Sequence, residues 1–268
     1  NMLKVSELFN EKSLYPERFY TLKNNRLNKR QYFAIHEFYQ DFLNLLMALS
    51  YVETQKPSTR KLEFKTYYAH KFKSFQPDIE LLYEVLTNRK MNIAIKKGAS
   101  HGSIITLDAN EYDSILLLSG GLDSLSGAVR YSNNPLQSFL HINSNKEMFG
   151  KVRKIMNLAP LKDNQIYYVD TKTKGITQNR SAFSNTRGLL FLGASAILLD
   201  FFGGTDVKFC ENGSQMIDVM LGTYVYSSSL STNNTNINYL YLVEQFLRKI
   251  FPNFRIQYPF LKNTKAEM

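Results

Sequence analysis

The 268-residue sequence is 44% hydrophobic and 21% charged, which excludes a disordered chain and leaves apolar mass for one large domain or two ordinary ones. One cysteine, Cys210, excludes an internal disulfide and points to the reducing cytoplasm. The net charge of +10 invites a nucleic-acid partner, but basic residues number 17 against 12 acidic ones in residues 1–112 and 16 against 11 in the rest, so the excess is spread along the chain.

The chain opens with NMLKVSELFNEK, which lacks the apolar core of a secretory signal. KNNRLNKR (23–30) is the one local basic cluster; without interleaved aromatics it reads as a solvated face, not as a stacking platform. Apolar residues at helical spacing predict a helix over 31–53. A polar turn (54–60) leads into KLEFKTYYAHK (61–71), which alternates and is rich in β-prone residues. Residues 77–89 read as a helix opened by Pro77 and Asp78, and 91–98 as a strand. Residues 1–110 therefore read as a small α+β accessory domain with no chemical constellation. His36, His70 and His101 are scattered through it and read as packing or surface residues.

From residue 111 to 268 the rhythm changes to strand–helix–strand. SILLL (114–118) is a continuous apolar run, as a parallel strand covered on both faces requires. A helix over 123–131, a strand over 136–143, a helix over 146–158 and a strand over 165–170 follow. TRGLLFLGASAILLDFFG (186–203) predicts a buried helix; its apolar core is too short for a bilayer and carries Asp200. Residues 206–212 predict a further strand. This alternation implies an α/β fold with a doubly wound parallel sheet. Ligands bind such sheets beyond the carboxyl ends of the strands. That rule places Ser119–Gly121, His141–Asn143, Asp170–Thr171 and Glu211–Gly213 on one rim.

At that rim stands SGGLDS (119–124), between the first strand of this half and its helix. Residues without a Cβ let backbone N–H groups approach a phosphate closely, and the helix start adds its positive dipole end. Ser119 and Ser124 can add hydroxyl donors. Asp123 would repel phosphate unless a cation intervenes, which implies Mg2+. A capped turn with incidental glycines is the plain alternative. The loop matches neither the Walker A pattern nor the Rossmann fingerprint.

SGGLDS resembles the signature of the PP-loop ATP pyrophosphatases, which cleave ATP between its α and β phosphates and adenylate a substrate. Residues 186–213, 231–250 and 252–268 are similar to segments of the 7-cyano-7-deazaguanine synthase branch of that family, so the resemblance covers about residues 112–268. An N-terminal extension joined to SGGLDSLSGA resembles the members of this branch found in bacterial antiphage islands. The resemblance implies an ATP-dependent carbon–nitrogen ligase acting on 7-carboxy-7-deazaguanine or a similar carboxylate, with ATP and Mg2+. It assigns the nucleotide-binding loop to Leu118, Ser119, Gly120, Gly121, Leu122, Asp123 and Ser124. It further implies Asp123 with Mg2+, Arg187 and Lys265 on phosphate charge, His141 and Asn143 at the adenine and ribose, and Glu211 and Asn212 at the substrate or metal. Gly188 stands where the branch has Asn after its arginine, so only Arg187 carries over. The branch's four-cysteine zinc site follows the Thr-Lys-Ala-Glu segment at 264–267; Cys210 alone cannot build it, so zinc is implied only if the chain continues beyond Met268.

Three other readings compete. A non-catalytic nucleotide-binding subunit of a defence complex would use residues 1–110 as its docking surface onto a partner protein. A tRNA-thiolating PP-loop enzyme would need catalytic cysteines or an iron–sulfur cluster, against which the single Cys210 argues. A nucleic-acid binder would show strongly salt-dependent affinity.

Overall fold

A computed structural model describes residues 2–9, 18–22, 30–33, 35–100, 102, 111–143, 146–159, 161–162, 165–171, 186–211 and 237–262, with 143 and 146–148 as backbone only. The ten described strands are β1 (Met2–Lys4), β2 (Phe19–Leu22), β3 (Arg30–Phe33), β4 (Lys61–Thr66), β5 (Asn92–Lys97), β6 (Ser114–Leu117), β7 (Gln137–Asn143), β8 (Ile166–Asp170), β9 (Asp206–Lys208) and β10 (Arg255–Gln257). The helices are α1 (Glu37–Gln55), α2 (Ala69–Thr87), α3 (Leu122–Tyr131), α4 (Lys146–Leu158), α5 (Arg187–Phe202) and α6 (Ile237–Arg248).

The chain is α/β, with a seven-stranded, mostly parallel sheet in the order β10-β9-β6-β7-β8-β2-β3. Strands β6 to β10 are mutually parallel. Within them the apolar run of β6 serves two cores. Ile115 and Leu117 join the cluster containing α5, α1 and α6, while Leu116 and Leu118 join the one containing α3 and α4. Alternate side chains of a strand point to opposite faces, so a run without polar residues needs a cover on both sides. The uniformly apolar α5 lies between the sheet and α1, buried nearly all round.

The sheet crosses the sequence division at residue 110. Strand β2 pairs antiparallel with β8, β3 pairs antiparallel with β2, and Tyr20 stacks on Tyr168 at 5.2 Å. A smaller, all-parallel sheet, β1-β4-β5, lies in the first hundred residues. One apolar cluster contains α1, α2 and β4 together with α5 and the facing side of the large sheet.

Four predicted elements change, one of them the strand read over 206–212, which ends at Lys208. The helix read over 31–53 begins only at Glu37, because residues 30–33 extend and pair with β2 while His36 Nδ1 accepts the Phe38 N–H at 3.2 Å and caps the helix. The alternating stretch 61–71 is a strand only to Thr66. The helix read from Pro77 starts at Ala69 and runs through the proline. Phe72 and Phe75, in ring contact with Phe38, Phe42, Phe64 and Phe246, hold that first part. Pro77 and Lys73, whose carbonyl loses its partner, lie on the exposed face where solvent can take the freed group.

Candidate functional site

Numbered along the chain, the five parallel strands stand in the order 5-4-1-2-3, so the winding reverses between β6 and β9. At such a point the connections leave toward opposite faces and open a crevice beyond the strand ends. The SGGLDS loop leaves β6 at this crevice, and Glu211 follows β9 on its other wall.

The loop is built by its own residues. Leu118 is fully buried, and its N–H donates to the Leu140 carbonyl of β7 at 2.8 Å. Gly120 then turns the chain at φ +88°, a region that favours glycine. Gly121 is the N-terminal cap residue of α3, with no side-chain cap, and the first intrahelical bond runs from the Leu125 N–H to the Gly121 carbonyl. Ser124 Oγ accepts the Ser119 N–H at 2.9 Å and shares a 2.7 Å hydrogen bond with Ser119 Oγ, closing the loop into a ring. That bond uses one of the pair's two hydroxyl protons, so the other hydroxyl can still donate outward. A Cβ at Gly121 would meet nothing nearer than Ser119 Oγ at 3.6 Å; the fold itself does not require glycine there. Leu122 is exposed, whereas Asp123 is buried in the first turn of α3.

Asp123 and Glu211 both act on Cys210. Burial pushes its thiol up to about 12, and these carboxylates add to the rise against Lys208 and Arg130. A buried, protonated thiol is a poor nucleophile. Gly127 lets α3 come close, since a Cβ there would lie 2.6 Å from Cys210 Sγ. Among the described residues no group of three or more histidines, cysteines or carboxylates could hold a metal ion.

His141 is fully buried near the end of β7. Its Nδ1 lies 2.9 Å from the Leu118 carbonyl, which can only accept, so Nδ1 carries the proton and Nε2 is an acceptor. Among the described residues Nε2 meets no hydrogen-bond partner. Burial lowers the imidazole pKa to about 4; the Leu118 bond opposes this and the Arg187 charge adds to it. The structure thus brings His141, Arg187 and the loop into one neighbourhood. Arg187 opens α5, with its guanidinium 5.2 Å from the Phe191 ring centre and its pKa lowered by burial. Asn143 ends β7, backbone only, and Lys265 and Asn212 lie outside the described residues.

Several groups at or beneath this rim have no sequence signal. Arg30 pairs with Asp170 at 3.2 Å, and Arg18 Nη1 donates to the Asp170 carbonyl at 3.1 Å, so two arginines from the accessory half reach the rim. Burial lowers Arg18 to about 10. Glu53 of α1 accepts from Thr186, the residue before Arg187. Deeper under α3, Lys208 donates to Ser114 Oγ and Gln137 Oε1, both at 2.6 Å, and lies over the Tyr131 ring. Each such pair joins residues far apart in sequence, which no local pattern announces.

No family model matches the chain, and none of the curated proteins or solved structures compared with it does either. Fold and site define an α/β protein with a glycine-bearing loop at the reversal point of a mostly parallel sheet. Among the described residues no helix is long and apolar enough to cross a membrane.

Proposed function

We propose that the chain is an ATP-dependent PP-loop enzyme that adenylates a carboxylate. The observation that carries this reading is SGGLDS at the winding reversal, turning through Gly120 at φ +88° into a helix start without a side-chain cap. Its first-turn N–H groups offer a phosphate partners and a positive dipole end. Gly121, which packing does not require, is what a closely approaching phosphate requires.

A substrate carboxylate oxygen attacks the α-phosphorus, the bond to the pyrophosphate oxygen breaks, and a mixed anhydride with AMP forms. A nitrogen nucleophile then attacks the acyl carbon, loses a proton and expels AMP, leaving an amide; in a second round the amide oxygen attacks the α-phosphorus of another ATP, pyrophosphate leaves, and loss of AMP with that oxygen and of two protons from nitrogen gives a nitrile. The protein's part is positioning and charge stabilisation. Ser119, Gly121 and Ser124 hold the leaving pyrophosphate, and Arg187 and Lys265 oppose the charge developing on it. His141, neutral with an acceptor at Nε2, takes a donor from the adenine or ribose. Mg2+ held through Asp123 would neutralise phosphate oxygens. Cys210 takes no part, which disfavours thiolation. By its sequence resemblance the substrate is 7-carboxy-7-deazaguanine or a close relative, and the setting bacterial antiphage defence in the cytoplasm, with ammonia or an amine on a partner protein as acceptor.

The test is pyrophosphate release from ATP and Mg2+, with and without 7-carboxy-7-deazaguanine. Release should require the deazaguanine and fall about a hundredfold or more in Asp123→Ala. ATP binding without release in the wild type would replace this reading with a non-catalytic nucleotide-binding subunit.

A further inference from the structure

We propose that Glu53 is a positioning residue for Arg187, which gives the accessory half a part in the chemistry; this rests on the reading above that Arg187 opposes phosphate charge. Glu53 lies near the end of α1, and its Oε2 accepts two hydrogen bonds from Thr186, from the backbone N–H at 2.9 Å and from Oγ1 at 2.7 Å. Thr186 is the residue from which α5 starts, and it is buried. A threonine in that place commonly turns its hydroxyl onto the N–H groups of its own helix. Here it makes no such cap and is held by a carboxylate 133 residues away.

Arg187 is the next residue. The clamp fixes the backbone immediately before it, and the Phe191 ring, one turn on, lies against its guanidinium. The long side chain therefore starts from a fixed point, with less freedom left to lose when it meets a phosphate. A carboxylate at the amino end of α5 is favourable on its own account. Its charge reaches two other helices: the hydroxyls of Tyr83 on α2 and Tyr239 on α6, raised first by burial, are raised further by Glu53.

The experiment uses the full chain and a double-mutant cycle. Steady-state pyrophosphate release and thermal midpoints are measured for wild type, Glu53→Ala, Glu53→Gln, Thr186→Val, Arg187→Ala and the double variant Glu53→Ala/Arg187→Ala. Glu53→Ala should lower kcat/KM by about ten- to a hundredfold. Glu53→Gln, which keeps an acceptor oxygen, should recover most of that loss. The double variant should be no worse than Arg187→Ala alone. Losses that multiply in the double variant, or a lowered thermal midpoint with unchanged kcat/KM, overturn the proposal while the functional reading stands. Normal release by Arg187→Ala overturns the proposal together with the role given to Arg187, while the adenylation reading stands; no release by wild type overturns both. If Glu53→Ala does not fold, Thr186→Val, which deletes only the 2.7 Å bond, takes its place in the cycle.

Discussion

His141 shows what one residue can decide at this rim. Its imidazole is neutral in the fold, with a pKa near 4 against about 6.5 when exposed. Between those values the unfolded chain binds the extra proton, so the folded state loses stability as pH falls through this window, and the loss is absent above it. The expected loss from this residue is about 2 kcal/mol between pH 7 and pH 5. Urea unfolding at both pH values checks it: His141→Gln, which still presents an N–H to the Leu118 carbonyl, should show a dependence flatter by about that amount. An unchanged slope would place the imidazole in a more solvated state than its burial implies. The histidine's place at the end of a strand was legible from the pattern of 136–143. That it faces inward, donates to the loop carbonyl and feels Arg187 was not, because those facts depend on which neighbours β6 and α5 bring to it.

Among the elements, α1 and α5 matter most to the architecture, since their contact joins the accessory half to the large sheet. Gly193 makes the close approach possible: a Cβ there would lie 2.2 Å from Leu46 Cδ1 and 3.5 Å from Phe42 Cε1. Overpacking of this kind costs about 1–3 kcal/mol. Gly193→Ala should therefore lower the urea midpoint, and the double variant with Leu46→Ala should lose less than the two single losses summed, a non-additivity expected of touching side chains. Fully additive losses would mean that the helices relax apart instead. The existence of α1 could be read from its periodicity and that of α5 from its unbroken apolar run. The starts of α1 and α2 could not be read: β3 occupies the first residues of the stretch read as α1, and α2 passes through Pro77, because pairing with β2 and the aromatic cluster around Phe72 and Phe75 outweigh local propensity.

At the scale of the whole molecule, residues 111–268 look self-sufficient in sequence and are not so in structure. Strand β8 is covered by β2, α5 is covered by α1, and the cluster containing Ile115, Leu140 and Val169 also contains Phe42, Leu46 and Phe72. A fragment of 111–268 would expose a sheet edge and the apolar outer side of α5. It should unfold without a cooperative transition or aggregate, as judged by circular dichroism during heating and by size exclusion. A cooperative, monomeric fragment would mean that the accessory half is a removable appendage.

The sequence by itself determined the parallel strands of the second half, their helices and the SGGLDS loop at one rim, since periodicity and turn chemistry are set by residues a few places apart. Only the tertiary structure decided that the strands stand in the order 5-4-1-2-3, that β2 and β3 extend the sheet from the other half, and that Glu53, Arg18 and Arg30 reach the rim. It also decided that Lys208 of β9 holds together the amino-terminal ends of β6 and β7. The physical reason is common to all of these: a buried charge or an open strand edge must find a partner, and that partner is fixed by which surfaces meet in space, not by distance along the chain.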